Sequence, residues 1–209
     1  MVAESERMWQ TTGWKIEHNK NGLLVESKPV SGAFEESRVL VTRSVGEIEA
    51  PAQDTFDMLI SPAGYAVIDP MCKPEDHELP PLETYHWRDG SRLEAAVATT
   101  ELPRMPVSEF VVLNAIDPRA RIFASKSILH AGCPGGSQYS TEPPSADGRV
   151  RALNTFAIKI EPISEQRCRI LCVNYVDLAG NTSPVINNIL NTKFFLPPLY
   201  KRIAAAMRT

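Results

Sequence analysis

The sequence predicts an α+β fold, a meandering antiparallel sheet of nine strands closed by a long C-terminal helix. Three observations carry that prediction. Short β-branched runs follow one another across tight-turn signals, so consecutive strands pair as hairpins. Two short helical segments interrupt the strands once, after the third. The chain then ends in a long segment with a single apolar stripe, which has to be buried against the sheet.

Residues 5–12 have the spacing of a short helix. Residues 14–18 and 23–29 are extended runs joined through Asn19, Lys20, Asn21 and Gly22, and Asn-Gly favours a hairpin because both residues tolerate positive φ. Residues 38–45 alternate and are β-branched, the mark of a third strand. Residues 51–60 read as a helix, with Pro51 at its start and Phe56, Leu59 and Ile60 on one face. Pro62 interrupts it, and a second helix over 63–67 ends before Asp69-Pro70.

Strands then dominate. Residues 82–87 and 91–99 turn at Arg88-Asp89-Gly90, and 109–116 and 121–129 turn at Asp117-Pro118-Arg119. Residues 131–147 form a loop rich in Gly, Pro and Ser, and 149–160 and 167–178 make the last pair. Ser183-Pro184 supplies a cap and a first-turn proline for a helix over 184–207. Ile186, Ile189, Leu190, Leu196, Leu199, Ile203 and Met207 mark its apolar stripe. Pro197 and Pro198 lie inside it, and an interior proline costs ~3 kcal/mol or more. The helix is therefore expected to kink or break between about Thr192 and Pro198.

Composition narrows the function. The chain has 209 residues, long for one domain and short for two, and no linker or repeat divides it, so residues 1–209 are read as one domain. A net charge of −3 without a basic stripe argues against nucleic acid. No apolar run reaches the ~18 residues of a membrane helix, and the first residues have no cationic start or apolar core of a secretory leader. Met1 and an ending just past the helix suit a stand-alone, monomeric, cytoplasmic protein. Cys72, Cys133, Cys168 and Cys172 form no zinc pattern and are read as reduced thiols. His18, His77, His86 and His130 are scattered, and the Gly-rich stretch 130–137 lacks the Lys and following helix of a phosphate loop. No metal, cofactor or catalytic group is expected.

Several local patterns, taken in order, resemble one family. Trp14 with Asn21-Gly22-Leu23-Leu24-Val25 looks like its opening hairpin. Met105 to Leu113 resembles its Pro-containing loop and following strand, with Ser108-Glu109 in place of Arg-Asp. Gly148-Arg149-Val150-Arg151-Ala152 resembles a strand opening, and Asp177-Leu178-Ala179-Gly180, Pro184 and Ile186-Asn187 resemble the entry to the last helix. The chain is thus similar, over nearly its whole length, to the START family of lipid-transfer domains. The resemblance implies a helix-grip fold, in which a curved nine-stranded sheet wraps a long helix and encloses a lipid. It implies binding and transfer, or sensing, of one lipid, without catalysis. The alternatives are a phospholipid carrier and a helix-grip aromatase/cyclase.

In sterol-binding members of that family a carboxylate and an arginine face each other in the cavity, and the matching positions by spacing are Ala95 and Asn114. The headgroup cage of the phosphatidylcholine carrier would fall at Val97 and Ala66. Neither set is present at those positions.

Strand alternation gives an inward list of its own. Anchored at Phe110, it selects Val112, Asn114 and Ile116, and on the preceding strand Leu93, Ala95, Val97 and Thr99. Ala152, Asn154 and Phe156 share a face of the next strand, and Ile170, Cys172 and Asn174 of the last. Ile189 and Phe195 are expected from the helix. This lining is uncharged, which favours a sterol-like or neutral lipid over an anionic one. The asparagines have two readings, a hydrogen-bonded core or partners for a ligand hydroxyl or ester. A lid is expected from Leu102, Met105 and Val107, with Pro197 and Pro198 as a hinge or as a plain junction of two helices. The lid's apolar side chains beside Arg104, and Lys193, Lys201, Arg202 and Arg208, suit transient contact with a membrane surface or merely a solvated face.

Overall fold

The computed structural model describes residues 7–29, 39–69, 81–101, 107–128, 150–178 and 182–208. Its strands are β1 (Lys15–Lys20), β2 (Leu23–Pro29), β3 (Leu40–Ile48), β4 (Glu83–His86), β5 (Arg92–Thr100), β6 (Ser108–Asp117), β7 (Ile122–Ser127), β8 (Val150–Arg151), β9 (Leu153–Ser164) and β10 (Arg167–Asp177). Helices α1 (Ala52–Leu59) and α2 (Pro62–Ile68) follow β3. The chain closes with α3 (Pro184–Ile189), a π-helical segment (Leu190–Phe195) and α4 (Leu196–Ala206).

Nine strands run in the order β1-β2-β3-β10-β9-β7-β6-β5-β4, each antiparallel to its neighbours. This is the expected sheet with one addition. The strand expected over 149–160 is split at Ala152, and the detached β8 pairs in parallel with β6. The turn chemistry holds: Asn21 and Gly22 adopt φ of 54° and 74°, as a type I′ hairpin requires, and Gly90 adopts 87°. Ser61 and Ser183 cap their helices, each side chain accepting from the backbone N–H three residues on, and a proline follows each.

One face of the sheet holds α4. Leu196, Leu199, Tyr200 and Ile203 are buried there against Ile158, Ile160, Ile170 and Cys172, with Phe56 and Leu59 of α1 closing the cluster. Fully burying side chains of this size contributes ~1.5–3 kcal/mol each. Gly46 makes room for Tyr200, because a Cβ there would stand 2.6 Å from the ring. The Tyr200 hydroxyl donates to the Ile170 carbonyl at 3.0 Å and lies 3.1 Å from Ser44 Oγ.

The expected break before Pro197 takes a particular form. The run from Pro184 to Ala206 stays helical, but Leu190–Phe195 widens into a π turn. Prolines 197 and 198 have no N–H to offer the carbonyls one turn back, and a wider turn re-aims that stretch without ending the helix. Both prolines sit in the first turn of α4. Among the described residues no helix is long and apolar enough to cross a membrane. Cys72, Cys133 and the loop expected over 131–147 lie outside the described residues.

Candidate functional site

The inner face of the sheet is filled at one end and hollow at the other. Pairing registers arrange its side chains in rows that cross the strands. One row runs Ile116, Phe123, Ile158, Cys172, and belongs to the packed core under α4. The next runs Glu94, Asn114, Ser125, Phe156, Asn174 and borders a cavity of about 410 Å³. Four rings mark the boundary. Tyr65 meets Phe123 at 6.0 Å, Phe123 meets Phe156 at 6.1 Å, and Phe156 meets Phe195 at 6.1 Å, two of the three contacts edge-to-face. Beyond this floor the cavity lies between β5, β6, β9 and β10 on one side and α2, α3 and the π segment on the other.

The wall is mainly apolar, from Ala96, Ala98, Phe110, Val112, Val176, Leu178 and Leu190. Its polar groups fall into four clusters, one of them mid-sheet, where Asn154 Nδ2 donates to Ser125 Oγ at 3.2 Å in the stretch that also holds Asn114. At the β5 end, Arg92 Nε donates to Glu94 Oε1 at 2.6 Å. Tyr65 hydrogen-bonds the same carboxylate; burial first, then the Glu94 charge, pushes its hydroxyl up to about 12, so it stays protonated. At the rim, Arg202 donates to the carbonyls of Val67 and Ile68 at 2.8 and 3.1 Å, satisfying the last turn of α2 with a cation. Thr100 Oγ1 donates to Asp69 Oδ2 beside it at 3.1 Å. At the β10 end sit Asn174, Asn187 and Asn191, all buried.

Strand phase on β6, β9 and β10 is as the sequence predicts, and it places Phe110, Val112, Asn114, Asn154, Phe156 and Asn174 in the cavity wall, with Phe195 facing them. Ile116, Ile170 and Cys172 share that face but lie below the ring floor, inside the solid cluster. Alternation reports the face of a residue and says nothing of its depth. Ala152 is buried beside Phe110, Val112 and Leu178, behind the wall.

On β5 the expected phase is wrong by one residue. Ala98 pairs with Phe110, Ala96 with Val112 and Glu94 with Asn114. The inward set is therefore Arg92, Glu94, Ala96, Ala98 and Thr100, while Leu93, Ala95 and Thr99 point to the other face. Val97 belongs to that other set but still borders the cavity. The cause is the connection between β5 and β6, whose length fixes the register; a one-residue slip exchanges the faces. With alanines at 95, 96 and 98, the strand's own pattern could not correct the error. The expectation of an uncharged lining falls with it, since Arg92 and Glu94 both face in.

Ile189 is also displaced: it is 40% exposed, and Ile186 48%, while Asn187 between them is 1% exposed. A 3.6-residue stripe drawn through 186–207 crosses the π turn, where the helical phase shifts, so the α3 isoleucines face outward and the asparagines inward. Leu102 and Met105 of the expected lid lie outside the described residues; Val107 is half-buried, its carbonyl accepting from Val150 N–H at 2.9 Å. Arg202, read from the sequence as a membrane-facing or solvated charge, is instead part-buried on the α2 carbonyls, and Asp69 and Tyr65 escaped the sequence reading, because strand alternation cannot find residues that helices bring to a sheet.

No family model matches the sequence, and no curated protein matches it. Solved structures do. Human StAR-related lipid transfer protein 5 superposes with a TM-score of 0.70 at 19% identity, covering 99% of this chain and 93% of that one. Human STARD10 gives 0.68 at 17% identity, covering 96% and 77%. The lipid transfer and protein localization domain of human StarD13 gives 0.64 at 16% identity, covering 99% and 94%. At these identities the likeness establishes the fold: the chain has the START-like, helix-grip α+β architecture.

Proposed function

We propose that this START-like fold is a non-catalytic carrier, one domain over residues 1–209, that shelters a single sterol-like or otherwise neutral lipid. The observation that carries the reading is the hollow half of the sheet. A cavity of about 410 Å³ with a mainly apolar wall stands directly above a densely packed half. Ligand pockets span roughly 300–1,000 Å³, and this one is at the small end, which suits a ring system or single tail better than two acyl chains.

A neutral ligand is favoured on different grounds from those the sequence offered. The wall is charged, but its described cations are engaged: Arg92 with Glu94, and Arg202 with the α2 carbonyls. A buried phosphate would need a cation to itself. Across from Asn114 stands Glu94, while Ala95, the position matched by spacing to the carboxylate of sterol-binding members, faces the other way. The partner of Glu94 is Arg92 on the same strand. Catalysis is disfavoured because Tyr65 is held protonated by burial and by the Glu94 charge, and the Glu94 carboxylate is already engaged by Arg92.

Contact with a membrane is supported at the π-segment end of the cavity. Val185, Ile186, Ile189 and Phe194 are exposed there, and Phe194 also lines the cavity. A monomer touching the bilayer with this edge could pass its ligand without crossing water. The test is native mass spectrometry after incubation with vesicles of mixed sterol, diacylglycerol and anionic phospholipid. A one-to-one complex with sterol or another neutral lipid is expected. Selective capture of the phospholipid overturns the ligand class, and capture of nothing overturns the carrier.

A further inference from the structure

We infer that the corner between α3 and β10 is a second polar subsite of the cavity, built to accept a hydrogen bond from a hydroxyl or N–H at the far end of the ligand. The inference rests on the carrier reading and adds to it the chemistry of the ligand's other end.

The hydrogen bonds of the asparagine cluster fix its orientation. The Val176 carbonyl can only accept, so Asn191 turns Nδ2 toward it, at 3.1 Å, and presents Oδ1 to Asn174. Asn174 must then donate its Nδ2 to that oxygen, at 3.2 Å. Asn187 likewise donates its Nδ2 to the Asp177 carboxylate at 3.3 Å. In Asn174 and Asn187 the bond uses the nitrogen and leaves the oxygen. Asn174 Oδ1 and Asn187 Oδ1 are buried without a described donor, on side chains whose residues are 0% and 1% exposed. Both residues line the cavity.

Buried acceptors of this kind are rarely left unmatched. The helix that supplies one of them also reverses the usual burial order, with Asn187 inside and Ile186 and Ile189 outside. Such conflicts between pattern and structure are expected where a site is built. Position completes the case. Glu94 and Asn174 stand in the same cross-strand row, four strand steps apart, which is roughly 19 Å along the sheet at about 4.8 Å per step. The cavity therefore has two polar ends of different kind: an ion pair on β5, and beside α3 an end whose two wholly unmatched atoms are acceptors. An amphiphile with a polar group at each end, such as a side-chain-hydroxylated sterol, fits both.

The test uses matched probes on the full chain: cholesterol against its side-chain-hydroxylated analogue, and palmitate against ω-hydroxypalmitate. Displacement of a fluorescent sterol should show the doubly oxygenated member of at least one pair binding tighter by about tenfold or more. In Asn174→Leu the affinity ratio between the two members of each pair should collapse toward one, whichever way the separate affinities move. If the variant does not fold, the wild-type protein still answers: the side-chain carboxamide signals of Asn174 and Asn187 in NMR should move with the doubly oxygenated probe and stay put with the other. Equal affinities and unmoved signals mean that water alone satisfies the two oxygens, and the inference fails. Binding of none of the four probes by a protein that does lift lipid from vesicles also defeats it. Failure to lift any lipid defeats the carrier reading instead.

Discussion

Filling the hollow half with a side chain should make the ligand-free protein more stable and useless as a carrier. Ala96 faces inward across from Val112 and borders the cavity. A phenylalanine there would bury about 150 Å² of ring. At ~25 cal/mol/Å² this contributes about 4 kcal/mol. Ordering the ring costs about 1 kcal/mol, and local adjustment about 1–2 kcal/mol more. The net expectation for Ala96→Phe is a gain of about 1–2 kcal/mol, or a rise in Tm of roughly 2–8 °C for a chain of this length. Uptake of fluorescent sterol from vesicles should fall more than about tenfold. Cys172→Phe is the control, because Cys172 shares the inner face but is fully buried below the rings. There the same ring overpacks a filled core and should cost about 1–3 kcal/mol. Delipidated proteins are compared by denaturant unfolding. If Ala96→Phe is destabilised as much as Cys172→Phe, or still takes up lipid, the space beside Ala96 is not the hollow described above.

Two further perturbations test the packed half and its floor. Gly46→Ala sets a Cβ 2.6 Å from Cε1 and 2.7 Å from Cδ1 of Tyr200, whose hydroxyl is tied to Ile170; a loss of about 1–3 kcal/mol is expected, and unchanged unfolding would mean that the ring is not fixed. Alkaline pH should destabilise the protein. Tyr65 rises from 10.0 to about 12 on folding, so between those values the unfolded chain releases its proton first and stability falls as pH rises, by up to about 2–3 kcal/mol. Burial pushes Tyr200 and the Cys172 thiol in the same direction. Tyr65→Phe should soften the decline, and a wild-type stability that is flat across this window would contradict it.

The sequence was explicit where local chemistry decides and silent where distance does. Asn21-Gly22, Gly90, Ser61 and Ser183 specify turns and caps by themselves, so the element order could be read almost without error. Phe110 and Asn114 were placed correctly because Phe110 served as the anchor on a strand that is apolar on both faces, and Asn174 because Arg167 and Arg169 mark the outer face of its strand. The phase of β5 was not legible, since a run such as Ala95-Ala96-Val97-Ala98 is equally acceptable either way round and its register depends on a loop. That single step hid Arg92 and Glu94. Depth was hidden too: nothing local distinguishes Cys172, under α4, from Asn174, one inward position further along the strand. The inward turn of Asn187 depends on a π segment that two prolines downstream help impose.

The row of four rings divides the labour within one sheet. Residues on the α4 side hold the molecule together whether or not anything is aboard. On the other side Phe110, Val112, Ala152 and Leu178 still pack together, while Ala96 and Ala98 border open space. Exchanges at Ala96 or Ala98 can thus reshape the hollow without endangering the scaffold, so on the carrier reading a lineage built on this plan can change cargo by altering a few side chains above an unaltered foundation.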